Sequence, residues 1–86
     1  MYSVYVLKSL RNNKRYVGYT SKTPETRLKE HNKGDNVWTG QNRPFELIHS
    51  ESYETKTEAI KREKFLKTGN GRKLLDSLLN KFSVPR

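Results

Sequence analysis

Two short runs of strand-forming residues at the start of the chain, residues 2–8 and 15–20, most constrain its fold. Both runs consist mainly of β-branched, aromatic and aliphatic side chains, which favour strands. The connection between them contains Asn12 and Asn13, and asparagine tolerates the positive φ of a tight turn. A parallel crossover needs about a dozen residues or more. The spacing therefore predicts an antiparallel hairpin.

This hairpin would bring two tyrosines together. A turn centred on residues 12 and 13 pairs Tyr5 with Thr20 across the strands. Because side chains alternate between the two faces of a sheet, this register places Tyr5 and Tyr16 on the same face, with Gly18 leaving space between them. A shift of one residue would place them on opposite faces.

A polar helix is predicted after the hairpin. Thr23 can cap it and Pro24 suits its first position, while Gly34 should end it. Arg27 and His31 are four residues apart, so they share one face of this helix. Residues 35–44 have no periodicity and predict a loop.

The second half of the sequence is predicted to form one more strand and two helices. Residues 45–50 resemble a strand, and Thr55 with Glu58 forms a capping box for a helix over residues 56–67, although Thr57 could cap equally well. Asn70 is the expected cap of the last helix. Its apolar residues recur at helical spacing and should dock on the sheet: Leu74, Leu75, Leu78, Leu79 and Phe82.

Glu63 is the carboxylate of most chemical interest. It lies four residues after Ala59 and three before Leu66, so it borders the face that this helix should bury. An ionised carboxylate there must be paired, hydrogen-bonded or bound to a cation. Lys67, at i+4, offers an ordinary ion pair, whereas Mg²⁺ needs only one or two carboxylates beside water and phosphate.

The composition favours a polyanionic partner. Lys and Arg number 18 against 9 Asp and Glu, a formal net charge of +9 on 86 residues, which makes nucleic acid the first candidate. The length predicts a single domain over residues 1–86. The absence of cysteine excludes disulfides and thiolate zinc sites. Without an apolar run near 20 residues or a signal-like start, we expect a soluble cytoplasmic protein that does not enter membranes.

The ordered motifs of this chain resemble the GIY-YIG nuclease family, in particular its small stand-alone members. Both tyrosines and the second glycine stand where that family has them, with Ser-Val-Tyr in place of Gly-Ile-Tyr and Tyr-Val-Gly in place of Tyr-Ile-Gly. The resemblance covers residues 2–79 and rests on Tyr5, Tyr16-Val17-Gly18, Thr20, Arg27-Leu28 with His31-Asn32, Thr39, Arg43-Pro44, Ala59, Arg62-Glu63 and Lys67.

The resemblance implies an α+β fold, a three-stranded antiparallel sheet flanked by helices. It also implies an active site lined by Tyr5, Tyr16 and Arg27, with Glu63 holding Mg²⁺ or Mn²⁺. In the mechanism that we expect, His31 assists the tyrosines in activating water. The predicted nucleic-acid contacts are Thr20, Lys22, Trp38, Arg43, Lys67, Asn70 and Arg72, where Asn70 matches a family asparagine at a shorter spacing from Glu63.

Each candidate also has an ordinary structural interpretation. The tyrosines could be packing residues with a hydroxyl at the rim of the sheet. Arg27 could be a surface arginine paired with Glu30. His31 could be a general base, a phosphate donor or neither.

The sequence is compatible with three functions. The first is a metal-dependent DNA endonuclease, selective for branched or flapped DNA and linked to repair or recombination. The second is a basic nucleic-acid-binding module without cleavage, in which Trp38 and Tyr53 stack on bases. The third is a protein-interaction role in which the charge only aids solubility. RNA as substrate and a protein partner stay open.

Overall fold

The computed structural model of the chain describes residues 1–34 and 37–80, with residues 37–39 and 80 as backbone only. Its elements are β1 (Tyr2–Ser9), β2 (Arg15–Thr20), α1 (Pro24–Asn32), α2 (Val37–Asn42), β3 (Phe45–Tyr53), α3 (Lys56–Leu66) and α4 (Gly69–Asn80). The strands form an antiparallel sheet in the order β2-β1-β3. The predicted α+β fold with a three-stranded antiparallel sheet is thereby confirmed. No helix in the described ranges is long and apolar enough to cross a membrane.

The hairpin forms, but its predicted register is wrong by two residues. Tyr5 pairs with Gly18, and Thr20 pairs with Ser3. The loop is wider than expected because the Ser9 hydroxyl accepts the backbone N–H groups of residues 11 and 12, and Asn13 takes the positive φ of 64°. Because side chains alternate between the two faces, a register shift of two residues leaves each side chain on the same face. Both tyrosines therefore still share one face of the sheet.

The central strand is covered on both faces. Its even-numbered residues, Val4 and Val6, pack with α3 and α4 in a cluster that also contains Val17, Ala59, Leu66 and Leu75. Its odd-numbered residues, Tyr5 and Leu7, pack with Phe45, Tyr16, Leu28 and Leu47. The helix α1 therefore covers the face that carries the tyrosines, and α3 covers the other face.

Local capping explains where the helices begin. The hydroxyls of Thr23 and Thr55 accept the backbone N–H of the third residue of α1 and α3, as predicted. In α4, Thr68 accepts the N–H of Gly71 at 3.1 Å, so Thr68 takes the capping place predicted for Asn70. Since this places the cap two residues earlier, α3 ends at Leu66 and α4 begins at Gly69.

Two other boundaries differ from the sequence prediction. The segment predicted as a loop contains α2, because a six-residue helix is too short to leave a clear apolar period. The third strand continues to Tyr53, since its last residues pair with the start of β1. In α4, Leu75 is buried and Leu74, Leu78 and Leu79 are half-buried, while Phe82 lies outside the described residues.

The side chain of Asn32, the last residue of α1, joins that helix to the sheet. Its amide oxygen accepts the N–H of Phe45 at 2.6 Å, and its amide nitrogen donates to the carbonyl of Phe45 at 3.2 Å. Asn32 therefore satisfies both backbone groups of the first residue of β3. Nearby, the Asn42 carbonyl accepts the Ser9 hydroxyl at 2.5 Å, which ties the end of α2 to the hairpin.

Gly71 should be the glycine least tolerant of substitution. A Cβ there would lie 2.0 Å from the carbonyl oxygen of Phe65 and 2.5 Å from Cα of Leu66, both of them backbone atoms. We expect Gly71→Ala to lower the free energy of unfolding by about 2 kcal/mol, which is roughly 10 °C in Tm. Urea unfolding followed by circular dichroism measures this.

Gly69→Ala is the matched control. A Cβ at Gly69 meets nothing within 4 Å, so the variant should be unchanged or stabilised by about 0.5 kcal/mol. Equal stability losses in the two variants would show that the contact between the end of α3 and the start of α4 is not what excludes a side chain at residue 71.

Candidate active site

Three predicted site residues form a hydrogen-bonded cluster under α1. The Tyr5 hydroxyl lies 2.9 Å from Nε2 of His31, and Nε of Arg27 lies 3.4 Å from the same hydroxyl. Nη2 of Arg27 is also 3.4 Å from His31 Nε2. Arginine can only donate, so Arg27 is the donor in both of its contacts with this group.

Tyr16 completes the cluster and is its more accessible tyrosine. Its ring centroid lies 4.7 Å from that of His31 and 6.3 Å from that of Tyr5. Tyr5 is 1% exposed and His31 is 0% exposed, whereas Tyr16 is only half-buried. A substrate can therefore reach Tyr16 most easily, and Tyr5 and His31 can act by holding their neighbours in place.

The fold brings these residues together through one strand pair and one helix turn. Gly18 pairs with Tyr5 across the hairpin, and a Cβ there would lie 2.6 Å from the Tyr5 hydroxyl and 3.1 Å from Cε1 of Tyr16. The predicted space at Gly18 is confirmed. Arg27 and His31 are one turn apart on α1, whose Leu28 anchors it over the same face.

Glu30 forms ion pairs with Lys22 and with Arg27, the cation of the cluster. Its carboxylate accepts from Lys22 Nζ at 2.7 Å and from Nη1 of Arg27. The hydrogen bond from Lys22, followed by that from Arg27, lowers the pKa of Glu30 below its usual value. Arg27 thus makes the surface ion pair that the sequence suggested and also contacts the buried tyrosine and histidine.

Glu63 lies on α3, which covers the face of the sheet opposite α1. Its side chain is 16% exposed, and its ion-pair partner in the described part of the chain is Lys67 at 3.6 Å. Residues 1–34 and 40–79 hold no group of three or more metal-ligating side chains. A single shielded carboxylate nevertheless suits Mg²⁺, which takes most of its ligands from water and phosphate.

The residues predicted to contact nucleic acid lie in different parts of the structure. Lys67 and Arg72 line a cleft together with Tyr16, whereas Asn70 is exposed on the first turn of α4. Thr20 is buried, and its hydroxyl accepts the backbone N–H of Lys22. Arg43 is exposed, with its guanidinium close to Gly34. The side chain of Trp38 lies outside the described residues.

A second polar cluster, between β3 and α3, was not predicted. Glu51 accepts from Arg62 through Nε at 2.8 Å and Nη2 at 3.1 Å, and from the Tyr53 hydroxyl at 2.6 Å. Its Oε2, the oxygen that accepts from Nη2 of Arg62, is also 2.8 Å from Nε2 of His49. The cluster was missed because the predicted third strand ended at Ser50, whereas the strand continues through Glu51 to Tyr53.

The hydrogen bonds outweigh burial in setting the ionisation of this cluster. Burial acts to raise the pKa of Glu51, but the bonds from Arg62, His49 and Tyr53 bring it down to about 2. Burial and the bond to Glu51 raise the pKa of Tyr53 to about 12. Glu51 therefore fastens α3 to the edge strand as a carboxylate.

Acid should weaken this attachment. The folded pKa of Glu51 lies below the unfolded value of 4.5, so its contribution to stability is complete above pH 4.5 and is lost as the pH falls towards 2. We expect Glu51→Gln to destabilise by about 2 kcal/mol at neutral pH. The difference from wild type should shrink between pH 4.5 and 2, as measured by urea unfolding at several pH values.

Glu54→Gln is the control for this pH series. Glu54 is exposed and has no ion-pair partner in the described part of the chain, so its removal should change stability little at any pH. A Glu51→Gln difference that stays constant down to pH 2 would contradict the ionic role of Glu51.

Comparisons with known proteins identify the family. Residues 1–75 match the model of the GIY-YIG catalytic domain. The UPF0213 proteins of Staphylococcus aureus strains Mu50 and N315 are 40% identical to this chain over 73 residues, which is 84% of this chain and 87% of theirs. The solution NMR structure of the UPF0213 protein BH0048 from Bacillus halodurans superposes with a TM-score of 0.54 at 29% identity, covering 91% of this chain and 85% of that one. The chain therefore belongs to the GIY-YIG nuclease family.

Proposed function

We propose that this protein is a divalent-metal-dependent endonuclease that hydrolyses phosphodiester bonds in DNA. The observation that carries the proposal is the cluster in which Tyr5, Arg27 and His31 share hydrogen bonds and the Tyr16 ring packs against His31 at the accessible side. A phosphodiesterase needs a positioned water, a cation for the developing negative charge and a means of stabilising the leaving oxygen.

Arg27 is the group that would bind the scissile phosphate. Its planar guanidinium can hold two phosphate oxygens while charge grows on them in the transition state. In the free protein one of its nitrogens is paired with Glu30. Contacts to Tyr5 and His31 hold the guanidinium from the other side, so it can exchange the carboxylate for phosphate without losing its orientation.

The two tyrosines would have different tasks. Tyr16, half-buried at the open side, is placed to orient the attacking water. Tyr5 and His31 are too buried to meet the substrate and would position Arg27. Glu63 is the residue that would hold Mg²⁺ or Mn²⁺, which supplies Lewis-acid stabilisation of the phosphate charge when bound.

The net charge of +9 supports a nucleic-acid substrate held through its backbone. A domain this small offers limited area for reading a long sequence, so we favour recognition of DNA structure, such as branches or flaps in repair or recombination. We also propose a cytoplasmic location, because the relatives are bacterial and bacterial DNA lies in the cytoplasm.

Cleavage should depend on Arg27 and Glu63. We expect Arg27→Ala and Glu63→Gln each to lower the cleavage rate at least about 100-fold. The assay uses labelled single-stranded, double-stranded, flapped and branched DNA with Mg²⁺ or Mn²⁺. The controls are Lys29→Ala and Glu54→Gln, which remove exposed charges of the same sign elsewhere and should keep most of the activity.

The non-cleaving module makes the opposite prediction. If no substrate is cut in either metal while DNA binds in a salt-sensitive manner, and if Arg27→Ala and Glu63→Gln bind as wild type does, the chain is a binding module. The proposal of an endonuclease would then be wrong.

Substitution of the two tyrosines should have different effects on stability. Tyr5→Phe removes a buried hydrogen bond to His31 and should cost about 1 kcal/mol of unfolding free energy in addition to activity. Tyr16→Phe should lower kcat and cost less stability than Tyr5→Phe, since Tyr16 is half-buried and Tyr5 is buried. Thermal unfolding and single-turnover cleavage measure the two effects, and an unstable Tyr16→Phe with normal kcat would contradict the assignment.

A further inference from the structure

A basic cleft lies beside the tyrosine cluster, at the free edge of β2. Its walls are the hairpin loop, the start of β2 and the junction between α3 and α4, and its volume is about 720 Å³. Of the nine residues that line it, four are basic and none is acidic: Lys14, Arg15, Lys67 and Arg72.

Two of these four cations are not neutralised within the described part of the chain. Arg15 pairs with Asp76 at 2.6 Å, and Lys67 pairs with Glu63 at 3.6 Å. Lys14 and Arg72 are exposed and have no carboxylate within ion-pair distance among the described residues. The cleft therefore offers two cations to an anion at once and two more that can exchange their carboxylates for it.

The cleft adjoins the strand that carries the proposed active site. Tyr16 is one of its lining residues, and the Tyr16 side chain belongs to the tyrosine cluster on the α1 face of the same strand. At its far side Lys67 is the ion-pair partner of Glu63, the proposed metal ligand. A chain of phosphates that follows the four cations would therefore pass from the β2 edge at Tyr16 towards Glu63.

Gly71 explains why Lys67 and Arg72, the two cations at the junction of α3 and α4, line the same cleft. The absence of a side chain there lets α4 start directly against the last turn of α3. Arg72, the next residue, is thereby brought to the same cleft as Lys67. The concentration of positive charge is thus a product of the packing between two helices.

From these observations we propose that the cleft binds the phosphodiester backbone of the substrate next to the cleaved bond, with Lys14 and Arg72 as its principal contacts. The inference rests on the proposed nuclease function and adds to it the path of the strand, which lies along the β2 edge. Cations spaced along a groove that leads to a reactive centre are the usual means of holding a nucleic-acid backbone.

The test is binding without catalysis. The double variant Lys14→Gln/Arg72→Gln is compared with Lys56→Gln/Lys61→Gln, which removes two exposed lysines outside the cleft. Fluorescence anisotropy in EDTA follows a labelled single-stranded oligonucleotide and a hairpin duplex of equal length, each over a range of salt. Thermal unfolding verifies that both variants are folded.

We expect the cleft variant to bind roughly tenfold more weakly than wild type and the control variant to lose less than about threefold. The slope of log affinity against log salt should fall by about 1.4 for the single strand or about 1.8 for the duplex, which corresponds to two lost phosphate contacts. The probe that shows the larger change identifies whether the backbone comes from an unpaired strand or from a duplex.

Equal losses in the two variants would mean that the charge acts diffusely, and an unchanged cleft variant would mean that the backbone runs elsewhere. Either result overturns the inference, as does the absence of binding to both probes. Because EDTA removes cleavage from the assay, failure of the nuclease proposal and failure of this inference are distinguishable. Arg72→Glu serves as a second variant and should weaken binding further than Arg72→Gln.

Discussion

The structure depends on a central strand that is buried on both faces. In β1, Val4 and Val6 form the core beneath α3 and α4, while Tyr5 and Leu7 form the core beneath α1. Each layer is therefore positioned by the same short segment of backbone, and the two layers are linked through it. As a result a candidate active-site tyrosine is also a core residue, and its hydroxyl must find a partner inside the protein.

That requirement shapes the proposed active site. The partner of the Tyr5 hydroxyl is His31, which is itself fully buried, and Arg27 closes the group on its solvent side. Hydrogen bonds among buried polar groups restrict their movement. Glu63, by contrast, lies on α3, which the Glu51–Arg62 pair fastens to β3. Arg27 and Glu63 are thus carried by helices on opposite faces of the sheet.

Local signals in the sequence were sufficient for most elements. The Thr23 cap and the alternating strand residues act within a few positions, so the hairpin and α1 could be predicted. The register could not, because it depended on the Ser9 hydroxyl turning back on the loop. The same is true of the pair Glu51 and Arg62, whose partners meet only after two elements have packed. Apart from the hairpin, contacts between elements were not accessible from local patterns.

The clasp between Asn32 and Phe45 has a consequence for how such a domain can diversify. It joins the end of α1 to the start of β3, so the segment between them is closed at its base by side-chain hydrogen bonds. A loop closed in this way can be lengthened at small entropic cost, about 0.6 kcal/mol for each doubling. Insertions there would extend the surface on the α1 side of the sheet while the strands keep their pairing. The clasp thus holds the two ends of this segment, whose last part is also tied to the hairpin through Asn42.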